Sequence, residues 1–313
     1  MRYRPLGRTG LSVSELSYGA ARGHDVPADF TATVHAAIDA GINLIDTAAD
    51  YGDSEEALGK ALVGHDDVIV ETKHMPYTDF SPESAYIGDP EAVIAGAEQS
   101  LQRLRRDRLD ILLGHGMRTT ESYDRFMSDG CCEAMIKLKE QGKVRFIGIS
   151  EMSEGDGTHE VLKRAVPTGV FDVVMLTVNV LLQTAIDDVL GLCREHGVGT
   201  VVMMPLNQAS KASGLVSVAA ARECIRLHVQ HGNLPNASPY TDEDLLAFLE
   251  PYSVPEAALR FVLAQEIDSC CVGCSSPGRV QENLAAIDPP YLDADRLAQL
   301  RSLFGGIKWQ IRW

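Results

Sequence analysis

Residues 41–73 read GINLIDTAADYGDSEEALGKALVGHDDVIVETK, and this stretch decides the fold. Two short apolar runs, 44–46 and 68–73, flank a Glu-, Ala- and Leu-rich segment of helical character. Their ends lie 27 residues apart, the length of one strand–helix–strand unit. The alternation continues on both sides. Strands are predicted at 15–19, 44–46, 68–73, 110–115, 146–150, 173–177, 199–203 and 270–272. Helices are predicted at 28–40, 54–62, 89–104, 129–141, 159–166, 184–196, 255–265 and 276–286. Ala92, Ile94, Ala97, Leu101 and Leu104 form the stripe of an amphipathic helix. Gly41, Gly142 and Gly197 each stand just past a helix, where a left-handed cap favours glycine.

Successive strand ends are separated by 27, 27, 42, 35, 27 and 26 residues, and then by 69. The long last step predicts an insertion after the seventh strand, at about 207–253, where the sequence is polar and carries Gly and Pro. Eight strands, each followed by a helix, predict an α/β fold of the (β/α)8 TIM-barrel class. A doubly wound open sheet usually has fewer strands, and its G-x-G-x-x-G signature is absent. Residues 1–12, with a turn at 7–10, predict an N-terminal hairpin, and 293–304 predict a C-terminal extra helix followed by the tail 305–313. No linker or low-complexity stretch divides the chain, so residues 1–313 are expected to form a single domain.

Of 313 residues, 45% are apolar and 23% charged, the composition of a packed globular chain. The net charge of −16 repels nucleic acid and anionic membrane, and neither is expected as a partner. The N-terminus MRYRPLGRTG has no apolar h-region, so no secretory leader is expected. The longest apolar stretch, 170–182, is too short to span a bilayer and is interrupted by Asp172, Thr177 and Asn179. The odd count of seven cysteines shows no disulfide framework, and a single Cys271-x-x-Cys274 without a second pair is not a metal site. A cytoplasmic location and no metal are therefore expected. The oligomeric state is not legible.

Catalytic groups of a barrel come from the C-terminal ends of its strands. Three consecutive predicted strands end in Asp46, Lys73 and His115. Singly, each has an ordinary structural reading: an aspartate caps the next helix, a lysine reaches to water, a histidine sits satisfied in the core. On neighbouring strands they converge on one mouth, and Tyr51, five residues after Asp46, lies on the loop above it. This set suits proton transfer at a carbonyl oxygen as a hydride reaches the carbon. A lysine cation favours the phenolate of a nearby tyrosine, an aspartate keeps the lysine charged and placed, and an imidazole polarises the oxygen. None of these groups can supply a hydride, so a nicotinamide cofactor is required.

The motifs carrying these residues are similar to those of the aldo-keto reductases, and the resemblance covers nearly the whole chain. RPLGRTGLSVSELSYGA resembles the family's hairpin and first strand, GINLIDTAADYGDSEEALGKAL its signature around the acid and the tyrosine. VIVETK matches the lysine strand, RLRRDRLDILLGHG the histidine strand, GKVRFIGIS the fifth strand, and VGCSSPGRVQENLAA the cofactor-binding end. The resemblance implies the tetrad Asp46, Tyr51, Lys73 and His115 and an NADP cofactor, with NAD as the alternative. It implies cofactor contacts from Ser150, from Pro205 and Leu206, and from Gly273, Ser275, Ser276, Arg279, Glu282 and Asn283. A helix starting near Ser276 would present free N–H groups to a phosphate, and Arg279 would meet the adenine or a 2′-phosphate.

The chain departs from the family in places. Met175 stands where many members carry a glutamine for the nicotinamide carboxamide, Gly273 where many carry a lysine, and Glu151 where many carry an asparagine. Val178 replaces a common aromatic, and Asn207 to Ser210 replace a glycine-rich run, which weakens Leu206 and Ser213 as pyrophosphate contacts. Substrate contacts are expected from His74, Tyr77 and Phe80, from Met117 and Arg118, from the insertion, and from Trp309 and Trp313 in the tail. Arg103, Arg105, Arg106 and Arg108 read as a solvated face on the opposite side. The leading expectation is an NAD(P)-dependent oxidoreductase of a small-molecule carbonyl or alcohol, with a sugar among its candidate substrates. Two others use the same tetrad: a cofactor-assisted isomerase, epimerase or lyase, and a cofactor-sensing regulatory subunit.

Overall fold

The computed structural model describes residues 1–20, 28–79, 81, 84–153, 156–207, 214–289 and 291–308. Ten strands are present among them: β1 Tyr3–Pro5, β2 Ser12–Ser14, β3 Leu16–Gly19, β4 Leu44–Asp46, β5 Ile69–His74, β6 Leu109–Met117, β7 Val144–Glu151, β8 Val173–Thr177, β9 Gly199–Met203 and β10 Ser269–Gly273. Strands β3 to β10 are all parallel and follow one another around a closed barrel, β10 pairing with both β9 and β3. This is the (β/α)8 barrel that the alternation predicts, preceded by the antiparallel β1–β2 hairpin. Its helices are α1 Phe30–Asp39, α2 Ser54–Ala61, α3 Pro90–Leu104, α4 Thr120–Ser128, α5 Cys131–Glu140, α6 Glu160–Ala165, α7 Thr184–Asp188, α8 Leu190–His196, α9 Val218–Gln230, α10 Val254–Leu263, α11 Pro277–Leu284 and α12 Ala294–Phe304. No helix among the described residues is long and apolar enough to cross a membrane.

The pleat divides each barrel strand between two cores. On β5, Ile69 belongs to the inner cluster and Val70 to the outer one beneath the helices. The inner cluster is closed from below by the hairpin, whose Leu6, Leu11 and Val13 pack against Leu44, Ile69, Ile111 and Val201. Burying each such leucine contributes about 2 kcal/mol. Gly7 makes this approach possible: it has φ +48°, and an added Cβ would lie 2.3 Å from the amide nitrogen of Gly199. The same end carries an ion cluster, in which buried Glu15 accepts from Arg2 at 3.1 Å and Arg4 at 3.3 Å and meets the hydroxyl of Tyr291. The bottom of the barrel is thus sealed, and chemistry is confined to the other end.

Three local expectations change. The predicted helix at 184–196 is two helices, α7 and α8, because Val189 between them leaves helical geometry at φ −123°. The insertion after β9 contains α9, capped by Ser217, whose hydroxyl accepts from the amide of Ala220. Its buried face, Ala221, Cys224, Ile225 and His228, has ordinary helical spacing within an insertion whose flanks are polar and rich in Gly and Pro. Helix α4 is also additional; Thr119 and Ser122 form its capping box, and it buries Tyr123 and Phe126. The predicted caps Gly41, Gly142 and Gly197 have φ of 89°, 74° and 66°.

Candidate active site

Strand β4 ends at Asp46 and β5 carries Lys73, and the parallel register brings Asp46 opposite Glu71. Glu71 and Lys73 share the parity of Ile69 and point into the barrel, whereas Thr72 faces outward and donates to Glu55 of α2 at 2.6 Å. The Lys73 ammonium, almost fully buried, is hydrogen-bonded to Oδ1 of Asp46 and to the carbonyl of Thr47 at 2.8 Å. Burial alone would lower its proton affinity. The Asp46 carboxylate, then Tyr51 and Glu71, more than offset this, and the amine is held charged well above its ordinary value.

Tyr51 enters from the turn after β4, where its amide donates to the carbonyl of Ala48 at 3.1 Å. Its ring is buried and lies 5.0 Å from Lys73 Nζ. The His115 ring meets it edge-on, with centroids 5.6 Å apart. The structure therefore brings Asp46, Lys73, Tyr51 and His115 from three strands and one turn to one mouth. Two further acids belong to the cluster. Asp50 accepts a hydrogen bond from Nδ1 of His115 at 2.9 Å, and Glu71 lies fully buried beneath Asp46 and Lys73. Sequence reasoning singled out neither. Asp50 directly precedes Tyr51, and Glu71 is the one charged residue before Lys73 in its strand.

Burial pushes His115 below its ordinary value, against the support of the Asp50 carboxylate. Burial would raise Asp50, but the hydrogen bond and charge of His115 override it and hold the carboxyl below its usual range. The neutral imidazole then carries its proton on Nδ1, and its other nitrogen is an acceptor.

The residues expected to touch substrate are placed differently. Register slips between Gly114 and Met117, where Gly116 has φ +68°, and Met117 is turned outward into the packed layer under the helices with no exposed surface. Tyr77 is buried as part of a strut: the Arg118 guanidinium covers its ring at 4.2 Å, Tyr86 meets it edge-on at 5.8 Å, and Arg118 binds the carbonyls of Asp79 and Ser81. His74 fills the gap over Gly96 of α3, where an added Cβ would stand 2.6 Å from its Nδ1. Phe80, Ser213, Trp309 and Trp313 lie outside the described residues. Arg103 is less solvated than expected, because its Nε binds buried Glu55 at 2.6 Å.

Among the expected cofactor residues, Ser150 and Met175 are register partners on β7 and β8, both buried, with Met175 in the inner cluster. Behind them Glu151 accepts from His159 at 2.6 Å and from the amide of Thr177 at 2.7 Å. Pro205 and Leu206 lie in a tight turn between Met204 and Asn207, both at positive φ, closed by the amide of Asn207 on the Met204 carbonyl at 2.9 Å. Such backbone strain outside glycine clusters at functional sites. At the end of β10, Gly273 leaves open space: an added Cβ would meet nothing nearer than the Gly19 carbonyl at 4.0 Å. Beyond it, Ser275 leads to Ser276, which caps α11 through the amide of Arg279, with Pro277 at the first turn. The Arg279 side chain is exposed and paired with its surface neighbour Glu282, while Asn283 donates to Cys274 Sγ at 3.2 Å. An open strand end, a helix N-terminus and an exposed guanidinium fit the phosphates of a dinucleotide. Among the described residues, no group of three His, Cys, Asp or Glu is arranged to hold a metal ion.

The aldo/keto reductase family model matches residues 15–304. The L-galactose dehydrogenase of Arabidopsis thaliana is 33% identical, over 97% of this chain and 95% of its own. The NADH-specific methylglyoxal reductase of Escherichia coli is 27% identical, over 94% of this chain and 96% of its own. An aldo-keto reductase of Bacillus halodurans, solved in its holo form, superposes with a TM-score of 0.75 at 25% identity, covering 100% of this chain and 99% of that one. One from Klebsiella pneumoniae, solved with NADPH, gives 0.69 at 23% identity, covering 100% and 98%. With the matched family model spanning almost the whole barrel, the chain belongs to the aldo/keto reductase family and is a nicotinamide-dependent oxidoreductase of small carbonyl or alcohol substrates.

Proposed function

We propose that the protein oxidises an alcohol group of a small polyhydroxylated molecule, a sugar, with NADP as its cofactor and NAD as the alternative. The observation that carries the reading is that the Tyr51 ring lies 5.0 Å from the Lys73 ammonium and 5.6 Å from the His115 ring. When bound, the nicotinamide supplies the site that accepts or returns the hydride. Tyr51 exchanges the proton. Lys73, kept charged by Asp46, stabilises the phenolate that this exchange requires. His115, with Nδ1 committed to Asp50, keeps its other nitrogen as an acceptor for a second hydroxyl of a polyhydroxylated substrate, orienting the reacting one beside Tyr51. The family relationship to a plant L-galactose dehydrogenase supports a sugar. Arg279 at the start of α11 supports NADP through its reach to a 2′-phosphate. The seven cysteines, all free, support a cytoplasmic location.

The test is to offer purified protein a panel of aldoses with NADP+ and with NAD+, following the absorbance of reduced nicotinamide. Turnover of at least one aldose is expected. Inactivity on every sugar, with reduction of methylglyoxal by reduced cofactor, would replace this reading with the reductase one.

A further inference from the structure

The mechanism leaves one buried acid without a task. Glu71 has no exposed surface, and no donor among the described residues reaches either of its carboxyl oxygens. Its carboxyl nevertheless meets that of Asp46, its register partner on β4. Two carboxylates cannot face each other in a water-excluded interior unless a proton stands between them. Asp46 is already ionic, bound to Lys73, so the proton belongs to Glu71. We propose that Glu71 is a positioning residue for proton transfer: as a neutral acid it donates to Asp46 from inside the barrel, and so limits how much of the Lys73 charge Asp46 neutralises. The Lys73 ammonium then retains more of its pull on Tyr51.

Burial, and next the Asp46 carboxylate, hold Glu71 well above the usual carboxyl range, while Lys73 opposes them. The other titratable groups facing it are few. From β10 comes the Cys271 thiol, itself pushed up by burial and then by Asp46. From the turn after β4 comes Tyr51, beyond Lys73. The register partner on β6 is Ile111, and His115 stands two pleats higher on that strand. Charge balance therefore rests on Asp46, Lys73 and Glu71. Loss of the Glu71 proton sets two carboxylates against one ammonium, and the phenol of Tyr51 then releases its proton less readily.

The proposal rests on Tyr51 as the proton-exchanging group, and the experiment separates the two. The pH profile of kcat is measured for the full-length protein, for Glu71→Gln and for Glu71→Leu, with cofactor binding followed by protein fluorescence as a check of the fold. Glu71→Gln keeps a neutral donor toward Asp46, so the alkaline limb of the wild-type profile is expected to disappear. Glu71→Leu is neutral but cannot donate, and kcat is expected to fall about tenfold at neutral pH. Cofactor affinity is expected to stay within about twofold in both. An alkaline limb that persists unchanged in Glu71→Gln, or equal kcat in Glu71→Leu and Glu71→Gln, overturns the proposal. If instead Tyr51→Phe keeps wild-type turnover, it is the assignment of Tyr51 that fails.

Discussion

Asp50, the residue immediately before Tyr51, accepts a hydrogen bond from Nδ1 of His115 at 2.9 Å. The contact joins the turn after one strand to the interior of a strand 65 residues further on. It settles which imidazole nitrogen carries the proton in the neutral ring. The carboxylate also supports the charged form of His115, although burial keeps that form disfavoured overall. Asp50→Asn removes the support, so His115 titrates lower still. The acidic limb of kcat/KM is expected to move to lower pH, with kcat down roughly tenfold. A pH–rate series on both proteins measures this, and an acidic limb moving upward contradicts it.

Loss of the Tyr51 hydroxyl removes the proton donor without disturbing the open end of β10. Tyr51→Phe is expected to lower kcat by about 100-fold or more while cofactor affinity changes little. Steady-state turnover together with fluorescence titration checks both halves of this expectation.

Lys73 and Asp46 form an ion pair in the barrel interior, with side chains only 1% and 8% exposed. Breaking it from one side leaves a buried charge unpaired. Lys73→Met is expected to cost about 3–5 kcal/mol of folding stability, and adding Asp46→Asn to recover a substantial part of it. Denaturant unfolding of the single and double variants reads the coupling directly.

His159 is bound to Glu151 behind the Ser150 strand end, both side chains fully buried. Burial works against the imidazolium, but the Glu151 carboxylate outweighs it and raises the group above its ordinary 6.5. Since the folded state binds this proton more tightly than the unfolded chain, the stabilisation is complete below about pH 6.5 and lost as pH rises through the folded value. The melting temperature is expected to fall across this alkaline window, and His159→Gln to flatten the fall. A thermal series at several pH values tests it.

Arg279 is exposed, and its ion-pair partner among the described residues is the surface neighbour Glu282. Arg279→Ala is expected to raise the KM for NADP+ roughly tenfold, and that for NAD+ less than about twofold, because only the former carries a 2′-phosphate. Equal losses for the two cofactors would place the arginine over the adenine ring instead.

Much of this molecule is written in local sequence. Strand–helix alternation is a short-range property, and runs such as 44–46, 173–177 and 199–203 coincide with β4, β8 and β9. Helix α9 is hidden in the sequence because Gly-, Pro- and polar-rich flanks give the whole insertion the character of a loop, although 218–230 itself carries an apolar face that packing buries. The split at Val189 likewise has no strong local breaker.

At the site, sequence alone determined that an acid, an amine and an imidazole lie at or near the ends of three successive strands with a phenol in the turn after the first, which the periodicity of apolar runs makes visible. What it did not determine is which neighbouring polar side chains face the same mouth. Asp50, Glu71 and Met117 are each one step of the pleat, or one slip of register, from pointing the other way. Tertiary structure decided those directions, because a side chain's face depends on strand parity and on which residue of the next strand lies opposite, and neither is carried by any short stretch of sequence.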